Sequence, residues 1–342
     1  MDASYGSSTV GGVPQTDHSR PRRRRRPLRW AAGFLVLVAV AGYFVVQRES
    51  NDNAGVPYCT ASADGKSGTK ASGQFDEMSP EQASNAATIA AVGVSKGMPD
   101  RAVTIALATA MQESALRNLD HGDRDSLGLF QQRPSQGWGT PGQIMDPVYS
   151  AGIFYDRLAE IKGYSRLPLT VAAQKVQLSG FPQAYAKHEP DATVLTAAFT
   201  GAGHLTCTGP APVRAGDPAK VRAELTRLLG KTPLYTLPAA PAGPASGQGT
   251  GKGAGAPAES EVTLVAKPGG GDPAARTGRV LAQWAVAGSR ELGITRVSYG
   301  GKSWVAGKDG DRWQDRGAAG SGNGAGDPAA AGPGQVRIFV RG

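Results

Sequence analysis

Residues 99–114 read PDRAVTIALATAMQES, and this stretch decides the fold of the central part of the chain. A proline in the first turn and the side-chain oxygen of Asp100 predict a helix start. The residues that follow are almost all apolar as far as Met111, which is typical of a helix buried on most sides. Glu113 stands at the C-terminal end of this helix. Burial and the helix dipole there both favour its protonated form, so Glu113 is a candidate general acid. The alternative is an exposed carboxylate that pairs with Arg117 at i+4.

Further helix signals flank this stretch on both sides. Ser79-Pro80-Glu81-Gln82 has the form of a capping box and predicts a helix that continues to about Ser95. Asp146-Pro147 opens an amphipathic helix with apolar residues at helical spacing. Shorter helices are predicted at 170–178, 182–187, 191–199 and 217–229. The segment from 76 to 208 is therefore predicted to be mainly α.

The N-terminal region carries much of the charge of the chain. Residues 1–29 hold seven arginines against two aspartates, a net +5 of the formal +9. The next 17 residues, 30–46, have no charge and span roughly 26 Å as a helix, close to the thickness of a bilayer core. Arginines on the N-terminal flank predict a membrane anchor with its N-terminus in the cytoplasm. A cleaved signal peptide is the alternative, and beside such a span the arginine run does not indicate nucleic-acid binding.

Cys59 and Cys207 are the two cysteines of the chain. On a segment that lies outside the cytoplasm, such a pair is expected to be oxidised to a disulfide. Two buried thiols are the alternative.

The C-terminal part is predicted to be a separate small domain. Residues 238–260 include ten Gly or Pro and no branched aliphatic or aromatic residue, so they read as a flexible linker. A helix at about 273–292 is followed by strand patterns at 294–299 and 336–340, with a flexible insertion at 317–334 between them. Trp304 and Trp313 are interpreted as core residues, with a sugar-stacking platform as the alternative.

The central segment, residues 76–208 of 342, resembles the superfamily of lytic transglycosylases and goose-type lysozymes. The matching residues occur in the order of that family. They are Gln112-Glu113-Ser114, then Gly128-Leu129-Phe130-Gln131, then Asp146-Pro147 with Ala151-Gly152-Ile153-Phe154-Tyr155-Asp156-Arg157-Leu158.

This resemblance implies a cut in the β-1,4 bond between N-acetylmuramic acid and N-acetylglucosamine of peptidoglycan. Glu113 would serve as both acid and base, and the product would carry a 1,6-anhydro ring. Ser114 and Gln131 match positions that orient the acid and bind the sugar, and the adjacent Gln132 would extend that surface. The chain departs from the family where a Tyr-Asn pair is replaced by Phe199-Thr200.

Three aspartates in a polar loop leave the reaction type open. Asp120, Asp123 and Asp125 are candidates for a second carboxylate that would activate water and make the protein a hydrolytic lysozyme. The alternative is that the three aspartates are solvated loop charges without a catalytic role. The spacing does not fit a calcium loop, so no metal or other cofactor is predicted.

The sequence thus predicts a mainly α fold. It has a lysozyme-like helical domain after a single transmembrane helix, and a small α+β C-terminal domain with one helix on a short antiparallel sheet. The expected partners are peptidoglycan strands, the membrane, and a cell-wall or division-machinery protein. A non-catalytic glycan-binding or assembly protein on the same fold is the main alternative. The predicted domains are a basic tail (1–29), the span (30–46), a stalk (47–75), the transglycosylase-like domain (76–208), a helix with linker (209–271) and the C-terminal domain (272–342).

Overall fold

A computed structural model describes the chain from residue 56 onward, with gaps. The described residues are 56–63, 74–178, 182–201, 203–209, 212, 214–230, 232, 234–238, 259–307, 313–315 and 330–342. The predicted basic tail, the predicted span at 30–46, most of the predicted linker and residues 317–329 of the predicted insertion lie outside them.

Nine α-helices occur within these described residues. They are α1 (Pro80–Ser95), α2 (Asp100–Ser114), α3 (Pro141–Ile144), α4 (Pro147–Glu160), α5 (Leu169–Gln177), α6 (Glu189–Thr200), α7 (Pro218–Leu229), α8 (Gly271–Ala287) and α9 (Ser289–Leu292). Short 3-10 helices occupy Pro134–Gln136, Tyr164–Arg166 and Pro182–His188.

Two antiparallel sheets accompany the helices. The strands are β1 (Cys59–Ser62), β2 (Gln74–Met78), β3 (His204–Cys207), β4 (Tyr235–Thr236), β5 (Glu259–Ala266), β6 (Ile294–Tyr299), β7 (Lys302–Val305), β8 (Gln314–Asp315) and β9 (Gln335–Arg341). The first sheet has the order β2-β1-β3, and the second has the order β4-β5-β9-β6-β7-β8. Ile338 at the centre of β9 lies opposite Val262 on one side and Val297 on the other.

The expectation of a mainly α fold is wrong. Helices account for 51% of the described residues and strands for 19%, arranged in two sheets. Strands β1 and β3 have only four residues each, too few for their alternation to stand out in the sequence. No described helix is both long and apolar enough to cross a bilayer. The single transmembrane helix placed ahead of the domain is therefore not part of the fold that the described residues show.

The helix starts show which caps could be predicted from the local sequence and which could not. The capping box at Ser79 and Gln82 is present, and Asp146 accepts from the backbone amides at the start of α4, as predicted. Asp100, in contrast, does not cap α2, which has no side-chain cap bond. Its Oδ1 instead accepts hydrogen bonds from Thr200 and Arg276.

The C-terminal elements pack against the central helices. Helix α8 lies against α1, and both belong to one compact unit. Arg276 of α8 donates to Asp100 at 2.6 Å, and the Gln283 Oε1 atom accepts from the backbone amide of Leu205 at 3.2 Å. The C-terminal sheet also packs against α8, and Val280, Leu281 and Trp284 of this helix are buried.

Candidate functional site

Glu113 lies in the last turn of α2 and is half-buried. Its Oε1 atom accepts a hydrogen bond from the phenol of Tyr185 at 2.6 Å. Tyr185 is fully buried in the 3-10 helix Pro182–His188, so the phenol has a fixed position. Arg117 is exposed, and the described contacts pair Glu113 with Tyr185 and not with Arg117. The alternative of a surface pair at i+4 is therefore not what the structure has.

Burial raises the pKa of Glu113 above its ordinary value, because a partly desolvated carboxylate loses hydration. Hydrogen bonds from Tyr185 and, more weakly, Gln177 lower the pKa, but desolvation is the larger effect. The carboxyl group therefore stays protonated to a higher pH than an exposed glutamate does. A carboxyl with such a pKa, oriented by a fixed phenol, can give a proton to a bound oxygen and take one back.

A tight turn is held beside Glu113 by two side chains. Leu127 and Gln132 exchange backbone hydrogen bonds of 2.9 and 3.0 Å, which closes the turn between them. Ser114 donates to the carbonyl of Leu129 at 2.7 Å, and Gln177 donates to the carbonyl of Phe130 at 2.7 Å. The end of α2 and the C-terminal end of α5 thus fix this turn from two sides.

The chain leaves α2 through two consecutive residues with left-handed backbone, Ala115 and Leu116. A non-glycine residue in that region is strained, and two in sequence need support. The support comes from α1. Gln82 donates to the carbonyl of Ala115, and the buried Asn85 donates to the carbonyl of Leu116, each at 2.8 Å. The sharp reversal directly after Glu113 is therefore built into the packing of α1 on α2.

The three loop aspartates make local contacts. Asp125 accepts from Arg133 at 2.8 Å and from both the backbone amide and the hydroxyl of Ser135. These donors, Arg133 first, hold the pKa of Asp125 well below its ordinary value. Asp120 is exposed and bonded to His121, which lowers its pKa. Asp123 is exposed beside Arg124. No described contact joins any of the three to Glu113.

The predicted sugar-binding residues separate into different environments. Ser114 is buried, and both of its hydrogen bonds go to backbone carbonyls. Gln132 is also buried and donates to the carbonyl of Ser150. Gln131 is half-exposed with a left-handed backbone, and its amide reaches the carbonyls of His121 and Gly128 at 3.3 Å. Of these three residues, Gln131 is the one whose side chain lies at the surface of the turn.

Phe199 and Thr200 lie far from Glu113. Phe199 is fully buried, and the hydroxyl of Thr200 donates to Asp100 at 2.8 Å. Asp100 begins α2 and Glu113 lies thirteen residues later, about 20 Å along the helix at about 1.5 Å per residue. The structure therefore does not bring this pair to the candidate acid.

Tyr185 and Gln177 are the site residues that the sequence reasoning missed. Both lie in segments predicted as helical, but nothing in the local pattern distinguished them from ordinary helix residues. Only the packing of the 3-10 helix Pro182–His188 against α2 brings the phenol to Glu113. The one available signal was the tyrosine itself, since a tyrosine in a packed segment needs a partner for its hydroxyl group.

Cys59 and Cys207 form a disulfide, as predicted, and stand directly opposite each other on β1 and β3. In the part of the chain that the structure describes, two sizeable cavities lie away from Glu113. One, of about 930 Å³, runs along the ends of α1, α4 and α7, and the other, of about 460 Å³, lies where α6 and β3 meet α8. Trp304 is buried in the C-terminal core, whereas Trp313 lines the smaller cavity.

No protein-family model matches the chain. No curated protein matches it significantly in sequence either. The likeness to lytic transglycosylases therefore rests on the residues around Glu113 and on their spacing in this chain.

Proposed function

We propose that this chain is a peptidoglycan lytic transglycosylase. Glu113 acts as the single acid and base on the β-1,4 bond between N-acetylmuramic acid and N-acetylglucosamine. The observation that carries the proposal is the half-buried carboxyl of Glu113, which has a raised pKa and a hydrogen bond from the buried Tyr185.

Two proton transfers complete the reaction. Protonated Glu113 gives its proton to the glycosidic oxygen as the bond to the muramic C1 atom breaks, and the neighbouring N-acetyl carbonyl of the substrate stabilises the positive centre. The Glu113 carboxylate then takes the proton of the muramic C6 hydroxyl, whose oxygen closes onto C1. No water is consumed. The bond from Tyr185 stabilises the transient carboxylate between the two steps.

The single-carboxylate reaction is favoured over hydrolysis by the state of the loop aspartates. A hydrolytic glycosidase uses a second carboxylate as base or nucleophile. Asp125 already accepts three hydrogen bonds from Arg133 and Ser135, and these bonds hold its loop together. Asp120 and Asp123 are solvent-exposed and interact with adjacent residues. A hydrolytic lysozyme is therefore the less supported alternative.

A non-catalytic glycan-binding or assembly protein is the alternative from another class. Two observations favour it. The two sizeable cavities lie away from Glu113, and the position of the family's Tyr-Asn pair is occupied by Phe199 and Thr200, which are buried elsewhere. Such a protein would still bind peptidoglycan, and a cell-wall or division-machinery protein remains a proposed partner.

The proposed place of action is outside the cytoplasm. The disulfide between Cys59 and Cys207 supports this, because such bonds persist in oxidising compartments. Peptidoglycan is found on that side of the membrane, so the compartment and the proposed substrate agree.

The test is mass spectrometry of the soluble fragments released from purified peptidoglycan by the full chain. Wild type is compared with Glu113→Gln, which keeps the shape and the bond from Tyr185 but has no proton to give. Glu160→Gln is the matched control, since Glu160 is an exposed glutamate at the end of α4.

Fragments ending in 1,6-anhydro-muramic acid are expected from wild type and from Glu160→Gln, and not from Glu113→Gln. Reducing ends instead would replace the proposal with the hydrolytic alternative. No release by folded wild type, together with retention on insoluble wall material, would establish the binding protein.

A further inference from the structure

The smaller cavity is lined by residues of the central helical segment, from α6 to β3, and by residues of the C-terminal elements, from α8 to β8. Its volume is about 460 Å³, within the range of small-molecule sites. Gly201 and Gly203, next to the end of α6 and the start of β3, and Gly300, between β6 and β7, are among its lining residues. The polar and aromatic side chains that line it are those of His204, Arg279, Gln283, Tyr299, Lys302 and Trp313.

Arg279 brings a positive charge that forms no ion pair with a carboxylate among the described residues. Its guanidinium is half-buried and donates to the carbonyl of Gly201 at the end of α6. The end of a helix offers roughly half a negative charge, so part of the positive charge stays uncompensated. Arg276, one turn earlier on α8, differs because it pairs with Asp100 at 2.6 Å. Within the described part of the chain, the cavity lining includes no aspartate or glutamate.

A second cation faces the cavity from β7. Lys302 lies 3.9 Å from Asp315, and both side chains are largely exposed. Such a pair is worth little, so the ammonium group can turn to a ligand at small cost. Two cations in one lining, with no carboxylate among the described lining residues, make a site for an anion.

The remaining lining residues would contact an organic, partly apolar group that carries the anionic group. Tyr299 and Trp313 offer aromatic surface, and Ala282 adds an apolar patch. The indole nitrogen of Trp313 is buried and has no hydrogen-bond partner among the described residues. A buried donor without a partner costs free energy, and a ligand oxygen would satisfy it.

We propose that this cavity binds a carboxylate attached to a small, partly apolar body. Arg279 and Lys302 hold the carboxylate, and Trp313 donates to a second oxygen. Two sources have this chemistry, namely the C-terminus of a short peptide and the acid group of a sugar acid. The proposal does not depend on Glu113, because it concerns binding at a site that lies apart from that residue.

The test is calorimetric titration of the full chain with two acids, each paired with a neutral analogue. N-acetyl-alanyl-alanine is compared with its C-terminal amide, and N-acetylmuramic acid with N-acetylglucosamine. One acid of the two is expected to bind at least about tenfold more tightly than its analogue, a difference of about 1.4 kcal/mol. The acid that binds more tightly identifies the source.

Two variants link this binding to the cavity. Arg279→Ala and, independently, Lys302→Ala are expected to weaken the acid about tenfold. Lys267→Ala is the control, because it removes one charge from an exposed position outside the cavity. The proposal is overturned if the acids bind no better than the neutral analogues, if neither acid binds at millimolar concentration, or if both cavity variants bind like wild type.

Discussion

Breaking the Cys59–Cys207 disulfide is expected to cost this protein a large share of its stability. The two residues lie 148 positions apart, so reduction frees a long loop in the unfolded chain. In the chain-entropy model, a loop of that length corresponds to about 5 kcal/mol. The net stability of a folded domain is about 5–15 kcal/mol, so the loss would be a third of it or more. Both cysteines are buried where β1 pairs with β3, so the native strands already hold the two thiols together.

Urea unfolding of the oxidised and the reduced wild-type chain measures this loss with every side chain kept. The free energy of unfolding is expected to fall by several kcal/mol on reduction. The slope of the free energy of unfolding against urea concentration should rise, because the reduced unfolded chain exposes more surface. A second sample, Cys59→Ala with Cys207→Ala, should resemble the reduced protein. If oxidised and reduced chains unfold within about 1 kcal/mol of each other, the entropic argument fails for this fold.

Three smaller perturbations test local parts of the structure. Tyr185→Phe removes a hydrogen bond that lowers the pKa of Glu113, so the alkaline limb of the pH–rate profile on wall fragments should move to higher pH; an unmoved limb would contradict this. Gly93→Ala places a Cβ atom 2.6 Å from the hydroxyl oxygen and 2.7 Å from the ring carbon Cζ of the buried Tyr155, and urea unfolding should show a loss of about 1–3 kcal/mol; an unchanged free energy of unfolding would contradict this. Asp217→Ala removes the cap of α7 and should lower the free energy of unfolding by about 1 kcal/mol, whereas Asp217→Asn should keep most of it.

Helix positions were largely predictable because their signals are local. The capping box at Ser79 and Gln82, and the Asp146-Pro147 start, contain their own hydrogen-bond partners within three residues. Such patterns predict a helix start without any knowledge of the tertiary contacts of the chain. Asp100 shows the limit of this reasoning. The sequence predicts that its side chain caps the helix. In the structure, the carboxylate instead accepts hydrogen bonds from Thr200 and Arg276, which lie 100 and 176 residues later in the chain.

The strands were harder to predict because their pairing is non-local. Strand β1 has four residues and is stabilised by β3, which comes more than 140 residues later. Its sequence, CTAS, resembles the polar segment around it. Strand β5 likewise begins at Glu259, inside the stretch that composition marks as linker. Its place in the sheet depends on pairing with β9 near the C-terminus. The domain limits drawn from composition stay predictions.

The candidate site divides in the same way. Glu113 could be chosen as a candidate from the sequence of α2 alone, because the apolar pattern of a helix and the position of a residue along it can be read locally. The partner of its carboxyl could not be identified, since Tyr185 reaches it from a different element. Ser114 was linked to sugar binding through the resemblance, yet its hydroxyl group bonds to the carbonyl of Leu129. This hydrogen bond fixes the turn beside Glu113.

The departure at Phe199-Thr200 has a physical reading once the positions are known. The resemblance to lytic transglycosylases implies a tyrosine and an asparagine at these two positions. In this chain, Thr200 joins the end of α6 to Asp100 at the far end of α2, and Arg276 of α8 binds the same carboxylate. A long polar side chain at position 200 would disturb this contact between the central helices and the C-terminal elements. The phenol that donates to Glu113 belongs to Tyr185, fourteen residues before Phe199, so this hydrogen bond does not need a tyrosine at position 199.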